Sequence, residues 1–229
     1  GGSRPQMKDP VFSLIPSRWG IIEGETTSEI ALKNRDIMED LFVEVKKFGV
    51  NTVKIDEIDA YFEVSLVTSG TTNLNFYASS EAINLPSDFN LIMTDNTHLR
   101  VQPNSRKNYA LMSVFEESNV TITGGILHGD RDKHDYSVGT HEWGYLIFLR
   151  GAQNTTISET TVRDATGDGM KIQSLRFYFE SDYLPSKNIT IKNCIFDNNR
   201  RNNISITGGE YIYVDSNQFL NASQDTNFS

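Results

Sequence analysis

The sequence has little cysteine, little proline and no long hydrophobic run, and each scarcity excludes a class of protein. Cys194 is the one cysteine in 229 residues, which excludes an internal disulfide framework and any cysteine-rich metal site. Six prolines and 16 glycines exclude collagen-like and proline-rich disordered chains. No stretch approaches the roughly 18 consecutive apolar residues of a membrane span. We therefore predict a chain that does not insert into a membrane.

Positive charge is also scarce. The chain has 21 Lys and Arg against 30 Asp and Glu, so its formal net charge is −9. Non-specific binding to nucleic acid or to an anionic membrane requires a basic surface, so we predict no nucleic-acid partner. Apolar residues make up only 38% of the chain but occur along its whole length, which predicts a thin, extended core rather than disorder.

What the sequence does contain is a repeat. Three copies open on an Asn-X-Thr-Ile tetrapeptide at Asn119, Asn154 and Asn188, which are 35 and 34 residues apart. Two apolar columns recur five residues apart in every copy. Their members are Ile122, Ile157, Ile191 and Val214, and Leu127, Val162, Phe196 and Phe219. Short strands of this kind cannot bury their faces alone and must stack on the next copy, so the repeat predicts a solenoid of strands.

A third strand completes each coil. It falls at Tyr145–Leu149, Gly169–Ile172 and Asn203–Ile206, and we expect Leu146 and Phe148 to point inward in the first of these. Three strands in a coil of about 23 residues predict an all-β fold, the right-handed single-stranded parallel β-helix. Two surplus segments interrupt this spacing, at residues 129–142 and 174–185, and we interpret them as insertions between strands.

The N-terminal region predicts a capping helix over about residues 28–48. Thr26 and Glu29 have the spacing of a capping box, and apolar residues lie on one helical face up to Gly49. We interpret residues 1–24 as a tag remnant, Gly1–Ser3, with a lead-in segment. We assign residues 25–229 to the β-helix, with coils over about 51–229. The end of the chain has no comparable cap, so we expect further coils or an oligomerisation domain to follow.

These features resemble the pectate-lyase superfamily of parallel β-helices, through the capping helix, the strand at 52–55 and the Asn-Val-Thr-Ile coils. The motifs at 129–134, 141–144 and 167–169 resemble β-helix domains of phage tailspikes and pre-neck appendages. That resemblance implies a virion or secreted, extracellular location and a polysaccharide or cell-wall glycopolymer as the partner. A tailspike part also implies a homotrimer in the full-length protein. The superfamily holds lyases, hydrolases, epimerases and non-catalytic binders, so the fold leaves the chemistry open.

The two insertions flank the same strand column and would wall a groove. In the first loop, His141 and Glu142 are candidates for acid–base catalysis. Trp143 would stack on a sugar face, with Arg131 and His134 as further binding residues. The alternative is a long solvated loop in which Trp143 covers the edge of the core.

Asp164 and Asp168 border a glycine-rich turn and are candidates for the two carboxylates of glycoside hydrolysis. Hydrolases of the superfamily often have an Asp-Asp pair near such a turn, whereas this chain has Gly-Asp-Gly at residues 167–169. The alternative is that Asp168 caps the turn while the glycines supply positive φ.

Lyase chemistry requires a base and a positive group that neutralises a uronic carboxylate. Lys171 is the catalytic candidate, and Arg176, Tyr178 and Tyr183 on the second insertion are candidates for substrate binding. The alternative for Lys171 is a solvated strand residue. We predict no cofactor and no metal site, because the aspartates do not assemble into the calcium site of superfamily lyases.

Three hypotheses follow from these patterns. In the first, the chain binds, and in one version depolymerises, a bacterial surface polysaccharide as part of a phage appendage. In the second, it is a secreted polysaccharide lyase or glycoside hydrolase that acts on an acidic polysaccharide. In the third, it is a non-catalytic structural shaft.

Overall fold

The computed structural model describes residues 11–66, 81–137, 139 and 141–224, which wind into a solenoid of parallel strands. The predicted tag remnant at Gly1–Ser3 lies outside these residues. Sheet A has seven strands: β1 (Val11–Ser13), β2 (Thr52–Ile55), β5 (Phe89–Met93), β8 (Val120–Thr123), β11 (Gln153–Ser158), β14 (Ser186–Lys192) and β17 (Gly209–Asp215). Sheet B has six: β3 (Ile58–Phe62), β6 (Thr97–Val101), β9 (Ile126–His128), β12 (Thr161–Arg163), β15 (Ile195–Asp197) and β18 (Gln218–Leu220). Sheet C has five: β4 (Ile83–Asn84), β7 (Asn108–Phe115), β10 (Trp143–Arg150), β13 (Met170–Gln173) and β16 (Ile204–Ile206).

The chain visits the three sheets in the order A, B, C in each coil, and each strand pairs in parallel with its copy in the next coil. Ile157 pairs with Ile122 on one side and with Ile191 on the other, and Ile191 pairs with Val214. The Leu127 column of sheet B is in register in the same way. Both predicted columns are thus confirmed. Each fully buried aliphatic or aromatic side chain stabilises the coil by about 1.5–3 kcal/mol.

Helix α2 (Ser28–Lys47) covers the N-terminal end of this core, after the short helix α1 (Pro16–Trp19). Its N-cap is Thr27, whose hydroxyl accepts from the Ile30 amide, so the predicted cap at Thr26 is wrong by one residue. Phe42 packs against Phe89 with ring centroids 5.0 Å apart. A cap must bury the face that meets the first coil, and that apolar contact holds the helix on the solenoid end.

One polar residue on the buried face of α2 also ties the cap to the coils. Asn34 donates to the carbonyls of Ile22 and Tyr61, and its side-chain oxygen accepts from the Ile22 amide. All the polar atoms of this buried amide therefore have partners, as burial requires.

Strand β10 differs from the expected register by one residue. Ile147 pairs with Met112 and Met170, and Leu149 pairs with Ile172, so Ile147 and Leu149 point inward and Phe148 points outward. A single-residue shift exchanges the two faces of a strand. Residues 145–149 are apolar throughout, so the sequence has no alternation from which the inward set can be identified.

A ladder of side chains runs along the corner that leads into sheet A. Asn119 donates to Asp88, Asn154 donates to Asn119, and Asn188 donates to Asn154, at 2.7, 3.1 and 2.9 Å. All four residues have φ between 50° and 58°, in the left-handed region that Asn and Asp tolerate better than other non-glycine residues. The repeated Asn-X-Thr-Ile motif is therefore explained by the geometry of the corner.

We predict that Asn154→Ala lowers the free energy of unfolding by about 2 kcal/mol, because it removes two ladder hydrogen bonds and strains a left-handed corner. Asn154→Gly keeps the backbone geometry and should cost about half as much. Denaturant unfolding measures both. The exposed Asn96, which is outside the ladder and has negative φ, is the control: its Ala variant should change stability by less than about 0.5 kcal/mol. Equal losses for the Ala variants at 154 and 96 would contradict the ladder.

Candidate functional site

The two insertions flank sheet C, as predicted. The first, residues 129–142, links β9 to β10, and the second, residues 174–185, links β13 to β14. One loop therefore enters sheet C and the other leaves it, at opposite ends of its strands. The outer face of sheet C between them is the predicted groove.

A buried chain of hydrogen bonds holds the first loop against the coils. The Tyr109 hydroxyl donates to Asp130 at 2.5 Å and shares a hydrogen bond with the Thr166 hydroxyl at 2.7 Å. Asp130 also bonds to His134 Nδ1 at 2.8 Å, and His134 Nε2 bonds to His141 Nδ1 at 2.8 Å. His134 and His141 are both buried, so contact between either ring and a substrate would require the loop to open.

Two arginines tie the same loop to later coils. Arg131 Nη1 donates to the carbonyl and to the side-chain oxygen of Asn198, at 2.6 and 2.9 Å. Arg200 donates to the carbonyls of His141 and Thr166, at 2.7 and 3.1 Å. The Arg131 guanidinium proposed for substrate binding is therefore half-buried and already engaged in the structure.

Asp168 is buried at the start of β13. Its carboxylate accepts from the Asn202 amide and side chain and, at 2.7 Å, from the Ser205 hydroxyl. Arg201 Nη1 lies 4.0 Å from Asp168 Oδ1 and 3.5 Å from Glu142 Oε2. Arg201 thus bridges the two predicted catalytic carboxylates. Of the pair, Glu142 is half-buried and reaches solvent.

Asp164 belongs to a different surface from Asp168. It occupies a coil corner with φ 62°, accepts from Arg163 Nε at 2.8 Å and from Asn198 Nδ2 at 2.6 Å, and lines a pocket on sheet B. Asp164 and Asp168 share no hydrogen-bond partner among the residues that the structure describes. The geometry therefore does not assemble them as a hydrolytic pair.

Lys171 lies on the outer face of sheet C, in register with Phe148 and Ser205. Partial burial lowers the pKa of its ammonium, and Arg201 lowers it further, whereas Asp168 acts in the opposite direction. Trp143, the first residue of β10, is 43% exposed at the edge of the sheet nearest the first loop.

The second loop is closed at its base and presents aromatic rings at its tip. Leu175 and Leu184 form an antiparallel bridge. Phe177, Tyr178 and Phe179 are 69%, 82% and 79% exposed. The two phenylalanine rings stack with centroids 5.7 Å apart and an interplanar angle of 6°. Sequence reasoning selected Tyr178 but missed both phenylalanines, although the run of three aromatics in a predicted insertion was a usable signal.

The other two binding candidates of this loop stabilise its shape. Arg176 Nε donates to Asp182 at 3.0 Å, and both side chains are largely exposed. Tyr183 meets Tyr178 edge-on, with ring centroids 6.3 Å apart. Such an exposed ion pair contributes little to stability, so the backbone bridge is the firmer closure.

Sequence reasoning also missed a polar row on the outer face of sheet B. Tyr61, Arg100, His128 and Arg163 are in register on four successive strands. His98, from the neighbouring row, bonds through Nδ1 to His128 Nε2 at 2.9 Å. His128 and Arg163 each follow a member of the second apolar column, Leu127 and Val162. Arg100 and Tyr61 follow Leu99 and Ala60, which pair into the same column. Alternation from the column therefore identifies the outward row.

The histidine of this row has a strongly shifted pKa. Burial, Arg100 and His98, followed by Arg163, lower the pKa of His128 to about 3, from an ordinary value near 6.5. The imidazole is therefore neutral across the physiological range, although it lies in a row with two arginines.

Within the described residues, no three His, Cys, Asp or Glu side chains converge on a position suited to a metal ion. The helices of the described part are too short or too polar to cross a membrane.

The fold and its loops define a class, the parallel β-helix with insertions around one sheet. Comparison with known families agrees: the model of the right handed beta helix region matches residues 64–226. The chain belongs to this family, which confirms the predicted right-handed fold.

Individual relatives are similar over part of their length. The uncharacterized Bacillus subtilis protein YclG is 36% identical over 147 residues, which are 62% of this chain and 25% of that protein. The uncharacterized SPbeta prophage-derived protein YorA of Bacillus subtilis is 33% identical over 151 residues, 63% of this chain and 26% of that protein. The chain thus spans about a quarter of the length of the curated relatives it matches.

A solved structure is similar in fold. A proposed glycosyl hydrolase from Parabacteroides merdae superposes with a TM-score of 0.53 over 91% of this chain and 95% of that chain, at 14% identity. At that identity the likeness establishes the shared fold alone.

We predict that acid lowers stability through His128. The pKa of His128 is lower in the folded than in the unfolded state. Its contribution to the free energy of unfolding is therefore constant above pH 6.5 and decreases as the pH falls toward 3, because the unfolded state binds the proton more tightly. Because His128 is half-buried, we expect a loss of about 1 kcal/mol between pH 7 and pH 5. Denaturant unfolding should show a smaller loss in His128→Gln. An imidazole that titrates near 6.5 by NMR would contradict this prediction.

Proposed function

We propose that this chain is the glycan-binding β-helix of a phage-type appendage or a related bacterial surface protein. In this proposal it binds a cell-surface polysaccharide across the outer face of sheet C. The observation that supports it is the exposure of three consecutive aromatic rings, Phe177, Tyr178 and Phe179, at the tip of a loop with a closed base. Exposed aromatic rings offer apolar faces for sugars at low conformational cost.

The polar residues between the two loops suit hydroxyl-rich ligands. Lys171, Gln173 and Ser205 are half-buried on the outer face of β13 and β16. Trp143 and the aromatic tip lie at opposite ends of the sheet C strands, because the first loop precedes β10 whereas the second loop follows β13. A polymer that crosses the sheet would thus meet an aromatic ring on each side and hydrogen-bonding groups between them.

The phage version of the proposal rests on two further points. One curated relative is prophage-derived, and the motifs at 129–134, 141–144 and 167–169 resemble tailspike and appendage domains. We therefore propose that the protein is located on a virion or outside the cell and that its full-length form is a homotrimer. No cofactor takes part in the proposed binding.

Depolymerisation is the enzymatic version of the same proposal. Glu142 is the strongest candidate acid or base, because it reaches solvent beside Arg201 whereas Asp168 is buried and fully hydrogen-bonded. Lys171, whose pKa is lowered, supplies a positive group within the same cluster. A secreted lyase or hydrolase acting on an acidic polysaccharide would use the same residues.

Removing the aromatic tip should weaken polymer binding. We predict that the triple variant Phe177→Ala, Tyr178→Ala, Phe179→Ala lowers affinity for the bound cell-surface polysaccharide at least tenfold, since stacking contributes about 1 kcal/mol or more at each ring. Pull-down of purified cell-wall and capsular polymers measures this. Because the rings are exposed, thermal stability should be unchanged.

The matched control lies on sheet A. Tyr213 is 60% exposed and lies on a different face of the solenoid, so Tyr213→Ala should bind as the wild type does. A tip variant that retains full affinity would contradict the proposed binding surface. Binding of no polymer by the wild type would favour the structural shaft.

Cleavage should depend on Glu142. We predict that Glu142→Gln lowers the rate of polymer cleavage at least 100-fold, which is the usual scale of general acid–base catalysis. Polymer affinity should stay within twofold of the wild type. Viscometry measures cleavage; new ultraviolet absorbance identifies a lyase product, and reducing ends without absorbance identify hydrolysis. Asp168→Asn with intact folding tests the other carboxylate. A wild-type protein that binds without shortening the polymer would contradict the enzymatic version and leave the binding version standing.

A further inference from the structure

A separate pocket lies on sheet B, on the other side of the first loop from the groove. Tyr61, Arg100 and His128 line it from three adjacent strands, and Asp132 and Lys133 of the first loop form its wall. Its volume is about 150 Å³. This is below the roughly 300–1,000 Å³ of pockets that enclose drug-sized ligands, so the pocket favours a small ligand such as one sugar ring over a chain of sugars.

The charges around the pocket are arranged in pairs. Arg100 donates to Asp59 through Nε and Nη2, Lys133 bonds to Glu25 at 3.1 Å, and Arg163 bonds to Asp164 at 2.8 Å. Each pair cancels a positive charge against a negative one. These groups can offer donors and acceptors to a ligand without a net field of one sign.

The remaining titratable groups do not add positive charge. Asp130 also lines the pocket, but its carboxylate is buried among Tyr109, Asn104 and His134. His128 is neutral because its pKa is lowered. Asp132 is exposed and has no ion-pair partner among the described residues, so it gives the rim a negative charge. An anionic ligand would therefore be repelled by the Asp132 carboxylate.

One aromatic side chain, Tyr61, lines the pocket. Tyr61 is half-buried, and its hydroxyl has no hydrogen-bond partner within the part of the chain that the structure describes. The Lys133 ammonium lies 6.0 Å from the centre of this ring. A ring for stacking, beside donors from Arg100 and Lys133 and acceptors from Asp132, is the combination that a sugar with several hydroxyl groups requires.

We propose that this pocket is a second binding site, specific for a single uncharged sugar unit, in which the ligand stacks on Tyr61 and bonds to Arg100, His128 and Asp132. Paired charges select against ions, whereas each sugar hydroxyl both donates and accepts and so satisfies groups of either kind. The site shares only the ligand class with the proposed groove and uses none of its residues.

The four histidines of the chain make the site directly observable by NMR. The full chain is titrated up to 100 mM with neutral sugars: methyl glucoside, methyl galactoside, methyl rhamnoside and N-acetylglucosamine. The corresponding uronate, methyl glucuronoside, is the charged probe. We expect at least one neutral sugar to shift the His128 and His98 imidazole signals while His134 and His141, buried behind the first loop, stay unchanged.

Charge selectivity is the second readout. The neutral sugar should bind at least tenfold more tightly than the uronate, and its affinity should change less than twofold between 50 and 500 mM NaCl. Asp132→Asn removes the unpaired rim charge and should improve uronate binding at least fivefold. Preferential binding of the uronate by the wild type, or a steep salt dependence, would overturn the proposal in favour of an anion site.

Variants of Tyr61 test the stacking face. Tyr61→Ala should weaken sugar binding at least tenfold, and Tyr61→Phe, which keeps the ring, should stay within twofold of wild type. The triple variant of the aromatic tip should still bind the sugar in the pocket. The experiment therefore distinguishes an error in the proposed groove from an error in the proposed pocket. If none of the neutral sugars moves the His128 signal, or if Tyr61→Ala binds unchanged at an unaltered melting temperature, the proposal is wrong.

Discussion

The parallel pairing of each strand with its copy one coil later is the constraint on which the rest of the structure depends. It requires every coil to place an apolar residue at the same inward position, as Ile122, Ile157 and Ile191 do. It also confines added length to places where no strand is interrupted. Residues 129–142 and 174–185 therefore lie at the two ends of sheet C strands, and the surfaces available for binding follow from the pairing itself.

This constraint explains how much of the fold could be predicted from the sequence. Columns of apolar residues and the limits of both insertions are periodic properties, and both agree with the structure. The register of β10 could not be predicted, because its unbroken apolar run has no alternation that distinguishes the inward from the outward residues. The position of the helix cap, Thr27 rather than Thr26, is a local detail that neighbouring threonines leave undecided.

The candidate site was less predictable, since it depends on where loop side chains turn. Residues 130–142 look like a polar loop in the sequence, yet Asp130 and His134 are buried. Tyr109 and Asn104, from an earlier coil, donate to Asp130, and Asp130 in turn bonds to His134. Contacts between residues of different coils cannot be predicted from the local sequence pattern around either residue. The net charge of −9 was equally uninformative about the surface, because the arginines of sheet B are already paired with aspartates.

The ladder at the corner before sheet A has a direction. Each asparagine amide donates to the residue one coil earlier, and the amides of Asn119 and Asn154 also accept from the residue one coil later. A carboxylate can only accept, so Asp88 is suited to the first position and to no other. At the next corner, Tyr211 has the same left-handed φ but no amide to donate. The ladder is thus polar along the solenoid axis. Duplicating a coil that carries an asparagine at this corner would lengthen the ladder by one residue and leave the other hydrogen bonds unchanged. Inserting a coil with aspartate at this corner would instead divide the ladder in two, because the aspartate accepts from the later coil but cannot donate to the earlier one.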